Sequence, residues 1–253
     1  LDPVAVSLIV KAMYALGAAF AMGFGAVGPG VGMGMGAATA VEGMGRQPRT
    51  SSDLFRVMLI GQGATSTPPT FALVVAILLL FGTGDGTALI QGFAGLGAGI
   101  SIGAASFASG IGSAFPAAQA CEAIARQPHL RRPFTTLMLI GQAISQTPLI
   151  FALLVSFMLI FTVNPDPNAG LVEYVIVLSS GICMGFGSMG PSVGSGLAGE
   201  SAILGIRYHR DPESSVGLLT RIMLLGQAVA QSTSIYALVI ALVLLMLLRT
   251  GGY

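Results

Sequence analysis

Charged and apolar positions in this chain fall into long separate blocks. Six stretches contain no Asp, Glu, Lys or Arg: residues 12–41, 57–84, 86–121, 133–165, 174–199 and 222–248. A helix needs about 20 apolar residues to cross the hydrocarbon core of a bilayer. Each stretch is long enough to cross once and too short to cross twice. The pattern predicts an all-α membrane protein with six transmembrane helices.

The six predicted helices are of two kinds. The odd-numbered ones are rich in small residues. Gly28, Gly30, Gly32, Gly34 and Gly36 alternate in the first, and the spacing of four puts Gly28, Gly32 and Gly36 on one helix face. The fifth repeats that spacing at Gly181 and Gly185 and again at Gly190 and Gly194. Glycine inside a helix costs about 1 kcal/mol relative to alanine, and in a membrane the return is close backbone packing between helices. The even-numbered helices are bulky, as in Leu78–Phe81 and Leu244–Leu248, which suits contact with lipid on at least one side.

The chain also repeats itself. Gly61-Gln62 recurs as Gly141-Gln142 and as Gly226-Gln227, each preceded by a Met-Leu pair: Met58-Leu59, Met138-Leu139, Met223-Leu224. The loop Arg46-Gln47-Pro48 recurs as Arg126-Gln127-Pro128 and, more loosely, as Arg210-Asp211-Pro212. The repeat predicts three tandem helical hairpins over residues 1–84, 85–166 and 167–253. Turn residues mark the junctions: Gly82, Gly84 and Gly86 at the first, and the run from Asn164 to Asn168 at the second.

Composition and charge narrow the function classes. Only 8% of residues are charged and the net charge is +1, which suggests neither nucleic-acid binding nor an acidic partner. The loops after the first, third and fifth helices carry nine arginines: Arg46, Arg49, Arg56, Arg126, Arg131, Arg132, Arg207, Arg210 and Arg221. The positive-inside rule places these loops in the cytoplasm and both termini outside. The chain starts at Leu1, so a cleaved N-terminal signal would suit that topology. Cys121 and Cys183 have no metal-ligand or redox spacing, and His129 and His209 lie in loops. No nucleotide-binding loop, zinc spacing or nucleophile triad is found, so no cofactor and no enzymatic activity of the chain by itself are expected.

Gly helix, Arg-Gln-Pro loop and a second helix opening on Gly-Gln, in that order and three times over, resemble the c subunits (rotor-ring proteolipids) of rotary F-type and V-type ATP synthases. The likeness is carried by Val27–Gly34, by the loops at Arg46–Pro48 and Arg126–Pro128, and by Gly226–Tyr236. It implies a closed oligomeric ring of hairpins in the inner membrane, small helices inside and bulky helices outside. It also implies a rotor that couples H⁺ or Na⁺ movement to rotation. The implied partners are lipid, further copies of the chain (with or without other c-type hairpins), a stalk docked on the loops, and the stator a subunit.

One departure bears directly on that function. The family's carboxylate on the second helix would fall at Ser66, Gln146 and Gln231, none of which ionises. A carboxylate in hydrocarbon is neutralised by a proton or a bound cation and can exchange it; an amide or hydroxyl has no such switch. The surroundings of a sodium-type site are best kept in the third hairpin, where Ser232, Thr233 and Tyr236 match the second helix and Ser195 takes the first-helix position. The first hairpin retains Ser66 and Thr67 and the second Gln146 and Thr147, with Pro68, Pro69 and Pro148 just beyond. Proline frees a backbone carbonyl one turn back, which keeps carbonyl ligands in play. Glu200, five residues beyond Ser195, is the candidate for a displaced carboxylate. Lys11, Gln91 and Glu173 take equivalent places in the three repeats, and Lys11 and Glu173 are expected to meet across a boundary between chains. The alternatives are a structural ring or scaffold that binds no ions and, on weaker grounds, a six-helix channel or carrier.

Overall fold

The computed structural model describes residues 2–82, 88–166 and 169–250, and among them every regular element is helical. Six long apolar helices form: α1 (Pro3–Arg46), α2 (Pro48–Phe81), α3 (Leu89–Arg126), α4 (Pro128–Thr162), α5 (Leu171–Tyr208) and α6 (Pro212–Thr250). The glycines proposed as the first junction, Gly84 and Gly86, lie outside the described residues, as do Leu1 and the Pro167-Asn168 part of the second.

The helices make two layers. α1, α3 and α5 form the small-residue layer with α3 in the middle; α2, α4 and α6 form the bulky layer behind it. The layers are staggered: α2 rests in the groove between α1 and α3, and α4 in the groove between α3 and α5. α6 has α5 on one side and no seventh helix on the other, and it is the least buried of the six. Two of the three loops turn identically. Gln47 and Gln127 share an extended backbone (φ −136° and −133°), and a single 3₁₀ turn follows each, Pro48–Thr50 and Pro128–Leu130.

Glycine sets the spacing of the inner layer. A Cβ at Gly28 would overlap the backbone of Phe107; one at Gly32, that of Gly110; and one at Gly99, that of Gly17. On the other side of α3, Gly181 meets the Gly97 backbone and Gly196 meets Gly112. Three helix backbones are thus in direct contact, an approach that any side chain would block. Hydroxyls stitch this layer to its neighbours. Ser106 donates to Gly25 O (2.9 Å), Ser156 on α4 to Ala98 O (2.9 Å), and Ser180 on α5 to Ala241 O (3.0 Å). The last two occupy the same level in successive repeats, with donor and acceptor exchanged between the helices.

The inner layer ends in two free edges. Ala15, Ala19, Gly23, Gly30 and Gly34 run down the exposed edge of α1, and a Cβ at Gly23, Gly30 or Gly34 would meet no other part of the described chain within 4 Å. Gly190 is similarly open on α5. Lys11 continues the exposed line on α1. Glu173 instead heads the line Val177, Gly181, Gly185 that faces α3, and it caps its own helix by accepting from Gly170 N–H (2.8 Å). Within the chain the two positions therefore face the same way around the layer, Lys11 off the free edge of α1 and Glu173 on the side of α5 turned towards α3.

Replacing Gly99 by Val should cost about 3 kcal/mol or more, because two backbones must separate. Gly23→Val, with open space around it, should stay within about 0.5 kcal/mol. Detergent-denaturation midpoints of the two variants, followed by circular dichroism, check this.

Candidate functional site

The bulky layer carries a line of glutamines at mid-depth. Proline explains why they find acceptors. In α2, Pro68 has no N–H for the carbonyl of Ala64, four residues back. In α4, Pro148 does the same to Ile144. The helical hydrogen-bond pattern is interrupted at Ser66 and at Gln146, two residues before these prolines. α6 has no proline at this level and runs unbroken from Pro212 to Thr250.

Each released carbonyl is taken up by an amide from the next bulky helix. Gln146 Nε2 donates to Ala64 O at 2.9 Å, and Gln231 Nε2 donates to Ile144 O at 2.9 Å. Gln231 Nε2 also reaches Ser195 Oγ on α5 at 2.7 Å, while Ser195 in turn donates to Pro191 O at 2.6 Å. Ser234 approaches Gln231 Oε1 at 3.4 Å. Gln231 is 8% exposed and Ser195 fully buried. The two residues sit in a closed set of neutral donors and acceptors, which is the condition for keeping polar groups at this depth.

A second tier of amides lies one turn away, at the glutamines of the Gly-Gln repeat. Gln62, Gln142 and Gln227 each donate to the inner helix of their own hairpin, at Met33 O (3.3 Å), Ser113 O (3.1 Å) and Ser195 O (2.9 Å). These three acceptors are repeat-equivalent. Gln142, fully buried, also reaches across to Gly61 O and Thr65 Oγ1, both at 3.0 Å. Among the described residues, Gln142 Oε1 and Gln227 Oε1 have no donor.

Several residues expected at the site are elsewhere. Ser66 is exposed and turns its hydroxyl back to Gly63 O (2.7 Å). Ser232 and Thr233 bond only their own helix, at Val229 O and Ala230 O, and Tyr236 is 66% exposed. The structure therefore joins Ser195 to Gln231 but leaves Ser232, Thr233 and Tyr236 on the open side of α6. Thr67 and Thr147 take the first positions of their helix segments beside the prolines. Glu200 is half-buried on α5 and, among the described residues, makes no hydrogen bond or ion pair with the glutamine set. No cluster of three or more potential metal ligands occurs among the described residues. The second-tier glutamines and Ser234 were missing from the sequence-based site. The Gly-Gln repeat marked the glutamines in plain view, but as a landmark of repetition.

The loops are tied together by charge. Glu122 accepts from Arg126 (3.0 Å) on its own helix and pairs with the buried Arg207 of α5 at 2.9 Å. Gln127 donates to Arg207 O at 3.1 Å, so the second loop is locked to the end of α5. Arg46 pairs with Glu42 in the first repeat. Gln47, Pro48, Arg210, Asp211 and Pro212 remain at the surface of this end.

Comparison with known proteins agrees with the threefold architecture. The family model for the ATP synthase C subunit matches three times, over residues 16–79, 96–159 and 178–244. The ATP synthase c subunit of Petrotoga mobilis is 48% identical over 79 residues, 31% of this chain and 79% of that protein. Its counterpart in Thermotoga petrophila is 44% identical over 81 residues, 32% of this chain and 92% of that protein. The ATP synthase c subunit 2 of Cereibacter sphaeroides is 44% identical over 66 residues, 26% of this chain and 80% of that protein. Three matches, each spanning a Gly-rich helix, its loop and the bulky helix that follows, mean that this multi-pass membrane chain belongs to the ATP synthase c-subunit family.

Proposed function

We propose that the chain is a rotor-ring component of a rotary ATP synthase whose own three ion positions are held permanently neutral. The observation that carries this reading is the pair of glutamine bridges. A protonated carboxyl at position 146 or 231 would donate one hydrogen bond to a neighbouring carbonyl. The amide of Gln146 or Gln231 donates that same bond and has no proton to release. A charge-free, hydrogen-bonded side chain passes through lipid without the cost of a bare charge but gives a stator cation nothing to attract. A Na⁺ held by such neutral groups would carry its full charge into hydrocarbon at a cost of several kcal/mol.

On this reading the chain transmits torque and completes the ring. Ion coupling, by H⁺ or Na⁺, belongs to carboxylate-bearing c-type hairpins in the same ring. Positions without an exchangeable charge lower the number of ions carried per turn and raise the force required of each. The Arg-Gln-Pro loops at Arg46–Pro48 and Arg126–Pro128, with Arg210–Pro212, form the face for the stalk and lie in the cytoplasm, with both termini outside. The hairpins divide at 84/85 and 166/167. Ser232, Thr233 and Tyr236 face the seam with the next hairpin along. A purely structural ring is the second reading. It is favoured by the position of Glu200 outside the glutamine set, which leaves no carboxylate joined to the site among the described residues.

Ring closure has its own support. α3 meets α1 through Gly99, Gly103 and Gly110, and the repeat maps these onto Ala19, Gly23 and Gly30 on the free edge of α1. α5 meets α3 through Gly181 and Gly196 while Gly190 on its far side stays open. Each free edge therefore copies one half of an interface already made within the chain, the head-to-tail arrangement that closes into rings. Gly30→Val should leave the folded chain intact yet abolish the ring, read by native mass spectrometry. An intact ring would refute this seam.

Carbodiimide labelling, which modifies protonated carboxyls in apolar sites, tests the neutral-site reading. The chain itself should remain unlabelled, and Gln231→Glu should create a labelled position. A co-purifying hairpin protein should take the label if the ring transports ions. Absence of label in every ring component would favour the structural reading, and label at Glu200 of the natural chain would overturn the assignment.

A further inference from the structure

A cleft of about 390 Å³ opens between α2 and α4 at the arginine-bearing end of the helices. It is lined by Arg56, Arg131 and Arg132 with a single acid, Asp53, and by Val57, Ile60, Thr135 and Thr136. Asp53 is engaged by Arg131. Arg56 and Arg132 are both exposed and, among the described residues, neither has an ion-pair or hydrogen-bond partner. Two unpaired guanidiniums therefore line one opening together with the hydroxyl of Thr136.

The position of the cleft determines what fits. It sits where the helices leave the apolar span, and its lining includes the apolar Val57 and Ile60. Ile60 is 45% exposed, and Leu59 and Leu139 beside it are also open. A ligand here meets cations at one end and a lipid-like surface at the other. Basic pockets between transmembrane helices at headgroup depth select anionic phospholipids, and guanidinium binds phosphate oxygens in pairs. We propose that this cleft is a binding site for the phosphodiester headgroup of an anionic phospholipid, whose acyl chains lie along α2 and α4.

The repeats supply an internal comparison. Moving one hairpin along, Asp53 and Arg56 become Pro133 and Thr136, while Arg131 and Arg132 become Val216 and Gly217. The corresponding position between α4 and α6 is left with Arg221 as its one cation. The site is therefore specific to the first groove, at one lipid per chain. This inference rests on the reading of α2, α4 and α6 as the lipid-facing layer of a ring.

The test is native mass spectrometry of the protein reconstituted in nanodiscs of equal phosphatidylglycerol and phosphatidylcholine. About one phosphatidylglycerol per chain should survive release, in preference to phosphatidylcholine. The double variant Arg56→Gln/Arg132→Gln should hold it about 25-fold less tightly, at roughly five-fold per arginine, and Arg221→Gln should hold it unchanged. Equal retention of the two lipids, or an unaffected double variant, overturns the site. Displacement by excess inorganic phosphate would identify free phosphate as the ligand and overturn the lipid assignment, as would an acidic polypeptide recovered in place of lipid. The same spectra count the chains in each complex, so a failure of the ring reading appears separately from a failure of the site.

Discussion

Direct backbone contact between glycine-lined helices is the constraint from which the other features follow. With Gly17 against Gly99 and Gly97 against Gly181, three helices stand as close as polypeptide permits. That spacing forces the bulkier helices into a second, staggered layer, because no larger side chain can enter the first. The stagger in turn brings each bulky helix beside the next at mid-depth, within reach of a glutamine side chain. Membranes offer no hydrophobic drive between helices, so this ordering comes from van der Waals contact and from hydroxyl bridges such as Ser106 to Gly25.

Much of this arrangement is legible in the sequence because its signals are local. Charge-free blocks give the spans, the Gly-Gln and Arg-Gln-Pro repeats give the hairpins, and Pro68 and Pro148 announce which carbonyls are released. The acceptors of Gln146 and Gln231 were not legible, although both donors and both prolines were visible. Pairing them requires the vertical offset between α2, α4 and α6, which packing of the other layer decides. The same offset decides how Ser232, Thr233 and Tyr236 stand to Gln231 within the chain. On a helix face they look like neighbours of Gln231, yet Gln231 points into the protein and they point away.

The polar groups at mid-depth also explain how a membrane interior tolerates so many amides. Within the glutamine set donors are satisfied first, whereas Gln119 Nε2 on α3 is buried without an acceptor among the described residues. Gln142 Nε2 alone has three acceptors, whereas the oxygens of Gln142 and Gln227 go without donors. The surplus is of acceptors, in a region where proline has already created more of them. Every amide hydrogen used on a released carbonyl removes an unpaired dipole that lipid could not solvate.

The bridges have a mechanical corollary. They run from α4 to α2 and from α6 to α4, and the series stops there. α6 lacks the proline that would release the carbonyl of Val229, and α2 presents the short Ser66 where a glutamine would have to reach it. Donor and acceptor are thus lost together at the two ends of the polypeptide. In an assembly of such chains, every third joint of the outer layer lacks this brace. Twisting strain would gather at those joints, so that the elastic unit of the assembly is the whole chain and not the hairpin.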